Sequence, residues 1–268
     1  MNYNIHNKKI FISYVYYPSP SNDYNLSYFI DNEIKYRENV FYSIVINGQN
    51  CSYTIPKLLN VNVIYRDNIG FDFGGYKASL DYANCNNYLD KFDYFFFMNS
   101  GVIGPILKDK SQEWYSKFTT KFNNLTKLIG TTIVCLPKYD SGGFGPKVEG
   151  FCFCLDKKGL ELVLKDGKIF YNHETKRDAI INGEYGLSRC IINNGFTIDC
   201  MLDKYKNINW YDGRNHFLNH NKHPSRYNSY FGISINPYEV IFHKWYWNDC
   251  PYVSLDIIEN HTQKKFIN

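Results

Sequence analysis

The sequence predicts an α/β fold, with a mostly parallel sheet, helices on both of its faces, and a single domain. Three observations lead there. Short β-branched and aromatic runs alternate with helically spaced stretches, the pattern of successive strand–helix–strand units. One run, Asp93 to Met98 (DYFFFM), has a continuous apolar stretch and suits a central strand covered on both faces. At 268 residues the chain can bury a self-sufficient core, and no internal repeat or linker-like segment divides it.

Lys9 to Tyr17 (KIFISYVYY) is β-branched and aromatic and stops at Pro18, which makes it the first strand. Leu26 to Arg37 reads as a helix. Phe41 to Ile46, closed by Asn47-Gly48, and Val61 to Tyr65 are the next strands. Helical spacing from Tyr76 to Tyr82 precedes the buried strand at Asp93 to Met98. Lys127 to Leu136 and Val148 to Leu155 follow as strands, separated by a Gly-rich loop from Asp140 to Lys147. Helices are expected over Lys157 to Leu164 and Tyr185 to Asn193, a long ordered loop or lid over Tyr205 to Tyr230, and a last short strand over Val240 to Lys244.

Composition narrows the function classes. A net charge of +4, with Lys and Arg dispersed among acids, lacks the clustered basic face that nucleic-acid binding requires. The eight cysteines form no CxxC pair, and Cys152 and Cys154 should share one face of a strand, so zinc ligation is not indicated. Scattered cysteines and the lack of an N-terminal apolar segment point to a cytoplasmic location, with a membrane surface as the alternative. The longest apolar run, Tyr94 to Met98, is far below the ~20 residues that span a bilayer. An aromatic content of 18% offers rings for a sugar site, but a core or a codon bias uses aromatics equally well.

In a mostly parallel sheet ligands bind beyond the carboxyl ends of the strands. Three polar, glycine-bearing segments fall there: Asn47-Gly48, Arg66 to Gly75 and Asn99 to Pro105. Arg66, Asn68 and Asp72 suit the base or ribose of a nucleoside. Gly70, Gly74 and Gly75 permit close backbone approach, and a helix start favours phosphate. The glycine spacing is neither a dinucleotide nor a P-loop fingerprint, and a tight turn uses the same residues. After the buried strand, where a carboxylate pair would hold Mg2+ or Mn2+, stand Asn99 and Ser100.

The order of these segments resembles that of the rhamnan synthesis F-like glycosyltransferases. The resemblance runs through most of the chain and rests on Arg66, Asn68, Gly70, Asp72, Phe73 and Gly74, then Asn99, Ser100, Val102, Gly104 and Pro105. It continues at Trp114, Lys127 to Thr131, Glu184 to Ser188 and Pro237 to Lys244. Gly101 departs from the usual Ser, and Glu149-Gly150 stands where Gln-Ser is usual.

The resemblance implies a GT-A-like, Rossmann-like fold and a hexosyl or deoxyhexosyl transfer in polysaccharide biosynthesis. A nucleotide-diphosphate sugar would be the donor and a glycan or glycoconjugate hydroxyl the acceptor, with residues 1–110 as the donor half and 111–268 as the acceptor half. It places the donor over Asn47, Arg66, Asn68, Asp72, Asn99 and Ser100, with His243 and Lys244 at the diphosphate and Mn2+ or Mg2+ as a candidate cofactor. Glu149 and Tyr230 become candidate acceptor contacts. Inversion needs one carboxylate to take the acceptor proton, and Glu184, read as opening a helix after a Gly, is the first candidate. Asp178 is the reserve, with Glu149, Asp199 and Asp203 behind it, while alternation makes Glu239 structural. Trp114 is read as core, whereas Trp245 and Trp247 either stack on a sugar or complete the core. Two other classes remain: a non-catalytic carbohydrate- or sugar-nucleotide-binding protein, and a nucleotidyltransferase, whose basic first loop Tyr14 to Asp23 does not supply.

Overall fold

A computed structural model describes residues 8–48, 50–140 and 143–266. Its main sheet contains β1 (Ile10–Tyr16), β2 (Val40–Asn47), β3 (Val61–Arg66), β4 (Tyr94–Asn99), β5 (Thr126–Gly130), β8 (Cys152–Asp156) and β9 (Thr197–Cys200). The spatial order is β3-β2-β1-β4-β8-β5-β9. Only β8 runs against its neighbours. The expected mostly parallel α/β architecture is therefore present, and the carboxyl ends of six strands lie along one edge. Strand order reverses between β1 and β4, which opens a crevice there.

Alternation along the strands explains the two-sided burial. Phe11 and Val15 of β1 and Phe95 and Phe97 of β4 join one core with Phe73, Tyr76 and Leu80 of α2 (Phe71–Cys85). Ile10, Ile12 and Tyr14, with Phe96 and Met98, join a second core with Leu26 and Phe29 of α1 (Pro20–Asn32) and Trp114 and Phe118 of α3 (Trp114–Thr119). Trp114 is core, as expected, packed edge-on against Phe96 and Phe242. Cys152 and Cys154 share the second core, on one face of β8.

Several expected elements have different bounds. α1 begins at Pro20 rather than Leu26, because Ser19 accepts a hydrogen bond from the Asn22 N–H and proline pre-sets the first helical residue. α2 begins at Phe71, so Gly74 and Gly75 sit inside its first turns instead of in a loop. The two long strands expected around residue 140 break at Thr131-Thr132 and at Glu149 to Phe151. The end of the first continues as β6 (Ile133–Asp140), which pairs with β7 (Gly143–Val148), drawn mostly from the expected loop, as a separate antiparallel ribbon. Most of the expected Gly-rich loop is thus strand, and its Ser141-Gly142 portion lies outside the described residues.

Val240 to Lys244 is not a strand. Asn236 and Pro237 start a short helix, α7 (Pro237–Val240). Ile241 then turns to φ 68°, a left-handed value costly for a β-branched residue. The backbone here joins the 103–106 segment through an isolated bridge between His243 and Ile103 and a bond from the Ile106 N–H to the Ile241 carbonyl. The expected loop over Tyr205 to Tyr230 contains a long 3-10 stretch, Gly213–Asn221. The remaining helices are α4 (Lys157–Asp166), α5 (Lys176–Asp178), α6 (Gly186–Asn193) and α8 (Leu255–Thr262). No helix among the described residues is long and apolar enough to cross a membrane.

Candidate active site

At the sheet's carboxyl edge the most recognisable polar residues bond one another. Arg66 donates to Asn47 Oδ1 at 2.8 Å, to the Ile69 carbonyl at 2.7 Å and to Asn172 Oδ1 at 3.2 Å. Asn47 donates to the Phe71 carbonyl at 3.5 Å. Asn68 is exposed on the intervening loop. The glycines serve packing rather than ligand approach. Gly70 adopts φ 76° as the cap of α2. A Cβ at Gly74 would stand 2.4 Å from the Ile69 carbonyl oxygen, and one at Gly75 would stand 2.7 Å from both methyls of Val15. Ser100 is buried, accepts from the Tyr17 N–H at 3.4 Å and, through its carbonyl, from Asn25 at 2.8 Å.

Beside this frame lies a cavity of about 390 Å3 lined by segments between Phe71 and Trp247. Asp72, in the first turn of α2, accepts a 2.6 Å bond from Asn99 Nδ2 at the end of β4. Burial raises the Asp72 carboxyl, with Asn99 and Lys244 opposing it and Glu184 reinforcing it. From β7, Lys147 donates to Glu184 Oε2 at 2.6 Å, and its side chain is 4% exposed against 26% for Glu184. Glu149 accepts from Thr132 Oγ1 at 2.6 Å and Ser225 Oγ at 3.0 Å, and its other oxygen lies 3.0 Å from His223 Nδ1. Burial works to raise Glu149, but His223, Thr132 and Lys147 together hold it down at about 2. The Glu149 bonds fasten the 205–230 segment to the ribbon.

Glu184 does not open a helix. The helix starts at Lys176, capped by Thr175, and continues through a π-helical stretch, Ala179–Tyr185, into α6. Glu184 therefore sits well inside it, and no helix N-terminus supports its charge. The widened π turn re-aims side chains and often occurs at functional sites. Asp178, the reserve candidate, is engaged in the cap with Thr175.

Lys244 lines this cavity and a neighbouring one of about 660 Å3 that opens beside the start of α1. Lys176 and Trp247 line both as well. The Lys244 ammonium is 4.7 Å from the Trp247 ring and 5.8 Å from that of Phe151. Burial lowers its pKa, while Glu149, Asp72 and Glu184 act to raise it.

Other candidates lie elsewhere. His243 points away from Lys244 into the core, with Nε2 3.2 Å from the Val253 carbonyl, and burial lowers its pKa to about 4. The Ile103 bridge fixes its backbone, and neighbouring side chains of an extended segment face opposite ways. Tyr230 is buried, accepts from the Lys204 N–H and bonds Glu239, so neither it nor Glu239 reaches the cavity. Asp199 pairs with Lys121, and Asp203 starts a distant 3-10 turn. Trp245 is core, donating to Asn25 Oδ1. Trp247 carries Arg226 and Lys244 over its ring and lines both cavities. Lys147, Lys176 and His223 were not singled out by the sequence. Alternation along residues 147 to 149 would have put Lys147 beside Glu149, but nothing in the sequence aims His223 at Glu149.

The donor set does not suit a resident divalent cation. Asp72 is one carboxylate, already bonded by an amide, and Asn99 turns its oxygen to the Gly101 N–H at 2.9 Å. Glu184 and Glu149 are held by their own cationic or hydroxyl partners, and the Lys244 charge acts on Asp72. Among the described residues no group of three His, Cys, Asp or Glu side chains could hold a metal ion.

Residues 43–130 match the family model described as rhamnan synthesis protein F. That span includes the Arg66 to Gly75 and Asn99 to Pro105 segments. Among solved structures, the chain is similar to the mannosyltransferase PcManGT from Pyrobaculum calidifontis, in complex with GDP-Man and Mn2+. The TM-score is 0.43 at 10% identity, covering 80% of this chain and 63% of that one, so this chain spans less than two thirds of that protein's length. No curated protein matches the chain.

Proposed function

We propose that the chain is a glycosyltransferase that moves a sugar from a nucleotide-diphosphate donor to a hydroxyl of a glycan or glycoconjugate. The observation that carries this reading is the meeting of Asp72, Glu184 and Lys244 around one cavity at the sheet's carboxyl edge, beside the strand-order reversal. The match of residues 43–130 to the rhamnan synthesis protein F model supports it.

In this reading residues 1–110 frame the donor, and the later residues supply the acceptor side and one donor contact, Lys244. Asp72, Asn99 and Lys244 contact the donor, while Asn47, Arg66 and the glycines hold the frame. Glu184 is the base: it lines the cavity with its side chain 26% exposed, and Lys147 holds one of its carboxylate oxygens in place. Glu149 bonds three side chains and serves better as a clamp. The acceptor oxygen attacks the anomeric carbon, its proton passes to Glu184, and the diphosphate leaves from the opposite face, which gives inversion. No step is assigned to a metal.

The test is a panel of nucleotide-diphosphate sugars scored for nucleotide-diphosphate release with and without glycan acceptors. Release from one donor class, accelerated by an acceptor, is expected. Tight binding with no turnover would instead favour the non-catalytic sugar-nucleotide-binding reading, which the Lys147–Glu184 ion pair also accommodates.

A further inference from the structure

We propose that Lys244 stands in for the divalent cation, so that the nucleotide diphosphate binds and departs without a metal. This rests on the donor-site reading above and concerns how that site neutralises charge.

Four features point the same way. Lys244 is partly buried on the shared wall of both cavities, and no carboxylate among the described residues pairs with its ammonium within 4.0 Å. A partly dehydrated ammonium whose neighbouring carboxylates all stand beyond ion-pair distance can take up an anionic ligand directly. Lys176, on the same wall, adds a second positive charge. A divalent ion at Asp72 would face these ammonium groups, while a diphosphate would be attracted by them. Finally, residue 101 is a glycine, and a Cβ there would stand 3.3 Å from Lys244 Nζ and 2.9 Å from Asn99 Oδ1. The absent side chain leaves room for the ammonium beside Asn99.

Chemically, the bond from the anomeric carbon to the diphosphate oxygen breaks and its electron pair stays on that oxygen. The acceptor oxygen forms the new bond and its proton goes to Glu184. Lys244 keeps its protons and offsets the developing charge as a point charge in a partly dehydrated site.

The experiment uses the full chain stripped with EDTA, then melted with UDP, GDP, dTDP, CDP or ADP in chelator or in Mn2+. One nucleotide should stabilise the protein equally in both conditions. Lys244→Met should weaken its binding by about tenfold or more, and Lys244→Arg should retain most of it. The unliganded Lys244→Met protein should melt no lower than the parent, since it loses no ion pair within 4.0 Å, and this guards against misfolding as the cause. Stabilisation that requires Mn2+, or Lys244→Met binding as tightly as the parent, overturns the inference and leaves the donor site standing. No stabilisation by any nucleotide in either condition overturns both.

Discussion

The edge built from β2, β3 and the start of α2 and the wall built from β7, the Lys176–Asn193 helix and the Phe242–Trp247 segment face one cavity on different terms. On the edge, Asn47, Arg66 and the glycines spend their bonding capacity on one another and on close packing. On the wall, Glu184 and Lys244 keep part of their chemistry directed at the cavity, and Lys147 and Glu149 hold the positions of their neighbours. A residue pattern that stands out in sequence can therefore be the frame, while the reactive groups arrive from segments with little local signal.

Substitutions should separate the two regions. The largest effect is expected on the wall: Glu184→Gln should lower kcat per folded molecule by about 10^2- to 10^4-fold, the usual scale for a general base. A comparable kcat would move the proton acceptor elsewhere. On the edge the order should reverse. Gly74→Ala forces a Cβ to within 2.4 Å of the Ile69 carbonyl oxygen, with an expected loss of about 2 kcal/mol in stability by denaturant titration. Activity per folded molecule should be nearly retained, and a selective loss of activity would mean that this turn touches the ligand.

A smaller effect sharpens the division between neighbours on the same segment. His243 has its folded-state pKa depressed from 6.5 to about 4, so the unfolded chain binds more protons between those values. Stability should therefore fall as pH drops from about 6.5 to about 4, and His243→Phe should flatten that part of the pH profile of the melting temperature. An unchanged profile would place the titrating group elsewhere, whereas Lys244→Met should leave this slope intact.

Much of the fold was legible. Alternation in IFISYVY and the unbroken apolar run in YFFFMN specified strands buried on both faces, and the strand–helix alternation specified parallel neighbours. Local chemistry misled where tertiary contacts prevailed. Val240 to Lys244 is β-branched and aromatic, yet Asn236-Pro237 and the turn at Ile241 exclude a strand. The motif at Glu184 suggests a helix start, but the helix begins eight residues earlier, at Lys176.

By itself the sequence determined the α/β class, the carboxyl-edge location of the polar segments, and Asp72 and Asn99 as residues of interest, because periodicity and strand ends are local properties, while Glu184 and Lys244 came from the motifs that carry the family resemblance. Only the tertiary structure decided that Lys147 holds Glu184, that His223 meets Glu149 across 74 residues, and that Lys244 rather than His243 faces the cavity. Those outcomes depend on which way a side chain points and on what another segment brings within about 3 Å of it, and hydrogen bonds and ion pairs fall off too steeply with distance and angle for sequence spacing to specify them.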